Sequence, residues 1–277
     1  MGGALEGKVA FISGGARGQG RSHAIRLAQE GADIVTFDIC APVETVAYAP
    51  STEDDLNETV KAVEALDRRI VARRADVRDP SAVAAVLDEG LAEFGRVDIV
   101  LANAGIMPII GEQGARLQAW HDAVDIMLTG VLHTCEAAIP TMVAQGDGGS
   151  IVITSSNAGL KGPVRTLSVK NYGFLAYIAA KHGVIGLMRA YANALGPYRI
   201  RCNTVNPTGV DTPMVNNPWF FELAEREPSL FEAMHNVLPV NMIEPIDVSN
   251  AILYLVSEAG RYVTGSVCKV DAGTTVY

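Results

Sequence analysis

The stretch KVAFISGGARGQGRSHAIRLAQEGADIVTFD, residues 8–38, decides the fold. It begins with a short apolar run that passes directly into a glycine cluster. An amphipathic segment of helical type follows and ends at a glycine. A second apolar run then closes on an acidic residue, Asp38. Two strand-type runs joined by a helix predict a strand–helix–strand unit with parallel strands.

The same alternation continues to the end of the chain. Five further runs of strand type are separated by helical sequence: VARRADV, VDIVLANAG, SIVITSS, IRCNTVNP and SVCKVDAG. We therefore predict an α/β protein with a single Rossmann-type, doubly wound parallel sheet of about seven strands and helices on both faces. Neither a linker nor a repeat of about 20–50 residues divides the chain, so residues 1–277 are expected to form one domain.

Two segments interrupt this alternation. Residues 40–55 are polar and carry prolines, and residues 214–242 are rich in aromatic side chains. Both could be ordinary surface loops, but long insertions in compact α/β folds often border ligands. We expect residues 40–55 to be an insertion at the edge of a ligand site. We expect residues 214–242 to form a lid over a substrate.

Composition excludes several classes of protein. The 277 residues are 49% hydrophobic and 19% charged, which is typical of a globular protein. A net charge of -9 without a basic stripe argues against a nucleic-acid partner. The four cysteines form no C-x-x-C pair, so we expect no metal and a reducing, cytoplasmic setting. The N-terminal sequence has neither a signal peptide nor a membrane span, so no membrane association is expected.

The glycine cluster SGGARGQG has the position of a dinucleotide-binding loop, between the first strand and the first helix. Such a loop presents backbone N–H groups and a helix N-terminus to a pyrophosphate. Its glycines Gly14, Gly18 and Gly20 have the spacing G-x-x-x-G-x-G rather than G-x-G-x-x-G. A tight turn without a ligand is the alternative interpretation.

The position of Asp38 favours the interpretation that the glycine loop binds a dinucleotide. It ends the second strand 18 residues after Gly20, where a carboxylate accepts hydrogen bonds from the hydroxyls of the adenine ribose. The same carboxylate repels a 2′-phosphate, so we predict NAD rather than NADP. Arg17 in the loop opposes this choice because it could pair with that phosphate, but the repulsion by Asp38 acts at shorter range.

Six motifs in this order resemble the short-chain dehydrogenase/reductase family, over residues 7 to 273. They are the glycine loop with Ser13 where the family has Thr, the pair Asp76–Val77, the run Ala102–Gly105, Ser156, the pair Tyr177 and Lys181, and the run Pro207–Thr212. The resemblance implies the following set of cofactor-binding residues: Gly14, Arg17, Gly18, Gln19, Gly20, Asp38, Asp76, Val77, Asn103, Ala104, Gly105, Tyr177, Lys181, Val210 and Thr212.

The insertion and the runs FDIC, AAKHGVIGLMRA and DTPM resemble the carveol-dehydrogenase-like, mycofactocin-associated branch of this family. That resemblance implies oxidation of secondary alcohols, NAD held very tightly, and an insertion that covers the cofactor. It also implies a separate redox acceptor as a partner. Resemblance to the wider family implies a homotetramer, paired through the helix after the fourth strand and the helix that carries Tyr177.

The run YIAAK places Tyr177 and Lys181 four residues apart, on one face of a helix. A packed Tyr beside a snorkelling Lys is the plain alternative. A free phenol titrates near pH ~10, and a cation about 5 Å away would stabilise its ionised form by roughly 3 kcal/mol. We therefore expect Lys181 to depress the pKa of Tyr177, which then serves as the proton acceptor.

The family resemblance implies the other catalytic roles. Ser156 hydrogen-bonds the substrate oxygen, and Lys181 also holds the nicotinamide ribose. Ser156 precedes Tyr177 by 21 positions, which is longer than the usual interval. The extra residues fall in residues 159–174, which we expect to border the active site.

Met127 departs from the family, which has Asn at this position in the run DIMLTGVLHT. The resemblance implies that the Asn holds a water that relays protons to the Lys, and a thioether accepts only weakly and cannot donate. Three hypotheses follow. Another group, such as a backbone carbonyl, replaces the Asn; turnover is slow; or the protein binds NAD without catalysis.

The aromatic segment completes the functional hypothesis. Met214, Trp219 and Phe220 are predicted to line a substrate pocket with Ser156 and Tyr177, although a packed helix pair is the alternative. We predict an NAD-dependent oxidoreductase for an apolar, terpenoid- or steroid-like secondary alcohol and its ketone. The rival functions are a non-catalytic dinucleotide-binding regulator and an NADPH-dependent 3-oxoacyl reductase, and Asp38 and the acidic charge oppose the second.

Overall fold

A computed structural model of the chain describes residues 3–164 and 170–276. Seven strands form one sheet in the order β3-β2-β1-β4-β5-β6-β7, and every neighbouring pair is parallel. The strands are β1 (Val9–Ser13), β2 (Asp33–Asp38), β3 (Ile70–Arg74), β4 (Ile99–Ala102), β5 (Gly149–Thr154), β6 (Ile200–Pro207) and β7 (Val267–Val270). The predicted fold class is confirmed.

Helices connect the strands and cover both faces of the sheet. They are α1 (Gly18–Gln29), α2 (Glu53–Glu64), α3 (Pro80–Phe94), α4 (Gly111–Gly114), α5 (Leu117–Val124), α6 (Gly130–Gln145), α7 (Tyr172–Leu195), α8 (Pro218–Arg226), α9 (Pro228–Ala233) and α10 (Pro245–Val256). A π-helical turn at Asp125–Thr129 joins α5 to α6, and a 3-10 turn at Asn157–Gly159 follows β5.

Alternating side chains of the strands feed two separate cores. On β1, Val9 and Phe11 pack with α3, α6 and α7, whereas Ala10 and Ile12 pack with α1, α2 and α10. This alternation follows from the twofold period of a strand. Because both faces of the central strands are covered, β1 is buried along its whole length.

The chain reverses its direction of travel across the sheet at β1, which pairs with β2 on one side and β4 on the other. The helices after β1 and β4 therefore leave in opposite directions, and a crevice opens between them at the carboxyl ends of the strands. The glycine loop and the run after β4 both lie at this crevice.

The helix Leu117–Gln145, which comprises α5, the π-helical turn and α6, is long and apolar enough to cross a membrane by length and composition alone. In this fold it is a core helix. Its buried side, which includes Met127, Val131, Cys135 and Met142, packs with the sheet, α3 and α7.

The start of α7 is fixed by Asn171. Its side-chain oxygen accepts a hydrogen bond from the N–H of Phe174 at 2.7 Å, and its Nδ2 donates to the carbonyl of Ile109 at 3.0 Å. Such a cap stabilises a helix end by about 1 kcal/mol. It also ties the first turn of α7 to the segment after β4, which places Tyr177 and Lys181 at the carboxyl end of the sheet.

Candidate active site

A cavity of about 380 Å³ occupies the crevice beside β1. The structure brings most of the predicted cofactor residues together on its wall: Gly14, Arg17, Gly18, Gln19, Gly20, Asp38, Asp76, Val77, Asn103, Ala104, Gly105 and Thr212. Val210 lies elsewhere. It is buried in the second core, where its backbone bridges to Ile243, and it forms no part of the cavity wall.

The glycine loop packs closely on the turn that follows β4. Gly14 has a φ of +74°, and a Cβ on it would lie 2.9 Å from the Cα of Ala104, so only glycine fits. Ser13 joins the same two segments, because its Oγ accepts hydrogen bonds from the N–H groups of Asn103 at 3.0 Å and Ala104 at 3.1 Å. The Ser that replaces the family's Thr therefore keeps a hydroxyl where the two loops meet.

Asp38 is held in place at the rim of the cavity. Its Oδ2 accepts from the N–H of Ala16 at 3.1 Å, and its Oδ1 accepts from the hydroxyl of Ser51 at 2.6 Å. The guanidinium of Arg17 donates to the carbonyl of Ala49 at 2.5 Å. Arg17 is thus engaged with the insertion, and the role of the Asp38 carboxylate toward a ribose stays a prediction.

These groups fit a dinucleotide. A glycine cradle opens α1, and a fixed carboxylate lies at the end of β2, where this kind of fold is expected to bind a ribose. The Oε1 of Gln19 is buried on the cavity wall without a hydrogen-bond partner among residues 3–164 and 170–276, which is unusual for a buried polar atom. Within the same residues no group of three His, Cys, Asp or Glu side chains could hold a metal ion.

The insertion forms one side of the cavity and is tied to the opposite side. Thr45 donates a hydrogen bond to Oδ2 of Asp122 on α5 at 2.7 Å, and the hydroxyl oxygen of Tyr48 accepts from the N–H of Met107 at 3.2 Å. With Ser51 on Asp38, the insertion is fastened on both sides of the crevice. The sequence predicted an insertion near a ligand, but it gave no sign of these three contact residues.

Ser156 lies just after β5. Its backbone is extended, and its Oγ accepts a hydrogen bond from the N–H of Ala158 at 3.1 Å. The side-chain Nδ2 of Asn206 donates a hydrogen bond to the carbonyl of Ser156 at 2.9 Å. Ser155 points the other way, because its hydroxyl donates to the backbone carbonyl of Lys181 at 2.8 Å. The hydroxyl of Ser156 donates to Oδ1 of Asn157 at 3.1 Å, and its role toward a substrate stays a prediction of the family resemblance.

Tyr177 and Lys181 lie together on α7, beside Ser156. The Nζ of Lys181 is 5.8 Å from the centre of the Tyr177 ring and donates to the carbonyl of Thr154 at 2.8 Å. None of the three residues belongs to the cavity wall itself. Gly105 connects them to the cavity: it lies on the cavity wall, and a Cβ on it would lie 3.7 Å from the Nζ of Lys181.

The predicted direction of the Tyr177 pKa is wrong. Burial raises the pKa of Tyr177, and the hydrogen bond with Ser156 only partly opposes this. Burial also lowers the pKa of Lys181 to about 8. Desolvation disfavours both charged forms, and the ammonium is directed at the Thr154 carbonyl rather than at the phenol oxygen. The neighbouring cation alone does not make Tyr177 acidic.

Met127 lies in the π-helical turn and is fully buried. A Cβ on Gly105 would lie 3.6 Å from its Cγ, 3.7 Å from its Sδ and 3.7 Å from the Nζ of Lys181. The thioether and the ammonium therefore both lie near Gly105. The polar partner of the ammonium is the carbonyl of Thr154, which is the kind of backbone group named in the first of the three hypotheses.

An apolar cluster packs against Tyr177. Its buried members are Met107, Ile109, Ile110, Phe174, Leu223 and Leu230. Met214 and Phe220 pack against this cluster, and their role as a substrate wall stays a prediction. Trp219 is not part of this packing, because it lies on the solvent-facing side of α8 and is 47% exposed. Of the loop expected to border the site, residues 165–169 lie outside the described residues, and Val164 packs against the cluster.

Comparisons with known proteins agree with this geometry. A family model described as enoyl-(acyl carrier protein) reductase matches residues 14–275. An uncharacterized oxidoreductase of Mycobacterium tuberculosis is 52% identical over 97% of this chain and 96% of its own. The (-)-trans-carveol dehydrogenase of Rhodococcus erythropolis is 44% identical over 98% and 99%. The crystal structure of carveol dehydrogenase from Mycobacterium avium in complex with NAD is 49% identical, has a TM-score of 0.91, and covers 99% of this chain and 100% of that one.

Proposed function

The chain belongs to the short-chain dehydrogenase/reductase family and is an NAD-dependent oxidoreductase, and from this premise we propose that it interconverts an apolar cyclic secondary alcohol, terpenoid- or steroid-like, and its ketone. One observation carries the proposal. Tyr177 packs against a cluster of apolar side chains, and Lys181, on the same helix, approaches Gly105 on the wall of a cavity that fits NAD. The carveol dehydrogenases among the relatives support the same substrate class.

Each of the three residues has a role that its contacts support. Ser156 offers its hydroxyl to the substrate oxygen and orients it. Tyr177, which hydrogen-bonds Ser156, accepts the hydroxyl proton during oxidation and returns it during reduction. Lys181 holds a buried positive charge beside the phenol and is positioned by the Thr154 carbonyl. When bound, NAD supplies the hydride acceptor and a positive charge near the phenol.

The insertion supports tight retention of the cofactor. Its hydrogen bonds reach both sides of the crevice, and we infer that they slow the escape of a bound dinucleotide. A retained cofactor has to be reoxidised in place. We therefore propose that a separate redox acceptor takes the electrons from the bound cofactor, as the resemblance to the mycofactocin-associated branch implies. A cytoplasmic location and a homotetramer complete it, on the grounds of cysteine usage and family resemblance.

A regulator that binds NAD without catalysis is the second candidate, and Met127 is the observation that favours it. The assembled Ser156, Tyr177 and Lys181 oppose it, because a sensor has no use for a proton-transfer group beside its ligand. A 3-oxoacyl reductase that uses NADPH is opposed by Asp38, whose carboxylate stands where a 2′-phosphate would lie.

A single-turnover experiment tests the proposal. The purified NAD-bound protein is mixed with a panel of cyclic secondary alcohols, and reduced nicotinamide is followed by fluorescence. We expect a burst of reduced cofactor with the wild type, and a rate lower by about 10²–10⁴-fold in Tyr177→Phe. A folded, NAD-bound wild type that yields no reduced cofactor with any alcohol supports the regulator. An equal rate in Tyr177→Phe overturns the proposed chemistry.

A further inference from the structure

Tyr48 is a second phenol near the reaction site, and the proposed chemistry gives it no role. It comes from the insertion, far from Tyr177 in the sequence, and it lines the cofactor cavity. Its hydroxyl oxygen accepts a hydrogen bond from the N–H of Met107 at 3.2 Å. Because Met107 belongs to the segment that follows β4, this bond brings the Tyr48 ring to the carboxyl end of the sheet.

The surroundings of the ring are those of the substrate side. Tyr48 packs against the same apolar cluster as Tyr177, Met214 and Phe220, and Met107 is one of the buried members of that cluster. Both phenols pack against this cluster, and the charge of an ionised Tyr177 contributes to the raised pKa of Tyr48. Burial is the largest cause of that raised pKa, so Tyr48 stays neutral while Tyr177 exchanges its proton.

Resting on the proposed function, we propose that Tyr48 is a specificity-determining residue that selects cyclic, apolar alcohols over short acyclic ones. The bond from Met107 fixes the ring, and the fixed ring supplies a flat apolar surface beside the reacting carbon. A ring-bearing substrate covers that surface, whereas a short acyclic alcohol reaches Tyr177 without touching it. The insertion then forms part of the substrate pocket as well as a cover for the cofactor.

The experiment compares Tyr48→Ala and Tyr48→Phe with a matched control, Tyr254→Ala, which removes an exposed tyrosine from α10 on the other face of the sheet. The KM and kcat are measured for one cyclic and one short acyclic secondary alcohol. The rise in Tm caused by a cyclic ketone is measured on the NAD-loaded proteins, and their NAD content is measured after purification.

We expect Tyr48→Ala to raise KM for the cyclic alcohol about tenfold or more, with less than a threefold change for the acyclic one. The ketone-induced rise in Tm falls in parallel. Tyr48→Phe keeps the ring but leaves the Met107 N–H without its acceptor, so it shows a smaller change in the same direction. Tyr254→Ala resembles the wild type in all readouts.

Three outcomes overturn the inference. Equal changes in KM for both alcohols, or none, show that the ring does not select the substrate. Loss of NAD from Tyr48→Ala with an unchanged KM ratio in the reloaded protein assigns Tyr48 to the cofactor alone. Where Tyr48→Ala does not fold, Tyr48→Leu and Tyr48→Phe decide the same question. A wild type with neither turnover nor a ketone-induced change in Tm overturns the proposed function first, and the inference with it.

Discussion

Met127 and Lys181 both approach Gly105, and at the Met127 position, where the family resemblance implies an asparagine, there is no amide with which to hold a water. The change Met127→Asn restores a donor and an acceptor at this position. We expect kcat for alcohol oxidation to stay the same or to rise. Because the site is fully buried, the amide destabilises the fold by about 1–3 kcal/mol unless it finds partners. Steady-state kinetics and thermal unfolding measure the two effects.

Met142→Asn is the matched control, since Met142 is also fully buried and lies further along the same helix, Leu117–Gln145. It is expected to show the loss of stability without a gain in kcat. A folded Met127→Asn variant that has lost turnover would contradict the idea that a polar group is useful at this position.

The opposite effects of burial on Tyr177 and Lys181 predict a pH dependence. Burial raises the pKa of Tyr177, so the ionised phenol that accepts the alcohol proton becomes more abundant as the pH rises. Alcohol oxidation therefore increases with pH through neutrality, and ketone reduction, which needs the neutral phenol, decreases. Burial lowers the pKa of Lys181 to about 8, so above that pH the ammonium is lost and the increase flattens.

Lys181→Met tests which group is responsible, because it removes the charge and keeps a similar length. We expect oxidation at neutral pH to fall by at least tenfold and the rising part of the pH profile to move to higher pH. Lys61→Met, on exposed α2, is the control. An unchanged profile of kcat/KM against pH in a folded Lys181→Met variant would remove Lys181 from the proton chemistry.

Among the elements of the fold, the insertion is held by side chains rather than by backbone pairing. From residue 40 to residue 51 it contains no helix or strand, and its hydrogen bonds cross the crevice to α5 and to the segment after β4. Thr45, which makes the hydrogen bond to α5, is fully buried. Because few bonds hold the element, the loss of one should be visible in the rate at which NAD escapes.

Thr45→Val keeps the shape of the side chain and removes its bond to Asp122. A typical hydrogen bond contributes about 1 kcal/mol, so we expect NAD to dissociate roughly fivefold faster while the first turnover keeps its rate. A chase with labelled NAD measures the dissociation rate. Thr134→Val is the control, since Thr134 is equally buried and its hydroxyl donates to the carbonyl of Gly130 within α6. Equal dissociation rates in wild type and Thr45→Val would show that the insertion does not retain the cofactor.

At the scale of the whole molecule, the sheet was predictable because its strands are buried on both faces. Continuous apolar runs such as β1 and β4 are recognisable in the sequence for that reason, and helices between them require parallel order. The π-helical turn at Asp125–Thr129 was not predictable, since its sequence is as helical as its neighbours. Whether the backbone takes an extra residue into a turn depends on packing.

The site was predictable only where residue spacing carries the information. Tyr177 and Lys181 share one helix, and the glycine loop is local, so both were found from the sequence. The direction of the Tyr177 pKa was not, because it depends on burial by side chains from several elements. The contacts of Thr45 and Tyr48 were not predictable either, because they join residues that are 77 and 59 positions apart. The different environments of Trp219 and Phe220 were missed because they depend on which side of α8 each residue occupies.

The outer faces of α6 and α7 are where family resemblance places the contact between subunits. The two helices cover the same face of the sheet, and Leu132 on α6 is 38% exposed. A twofold pairing of such a face brings each apolar side chain close to its counterpart. We expect light scattering to give four times the 29.3 kDa of one chain, and Leu132→Glu to shift the protein to smaller species because it places like charges together. Asn57→Glu adds the same charge on the exposed side of α2 and should leave the mass unchanged. A wild type with the mass of a single chain would exclude the tetramer, and a Leu132→Glu variant that keeps the wild-type mass would move the interface away from α6.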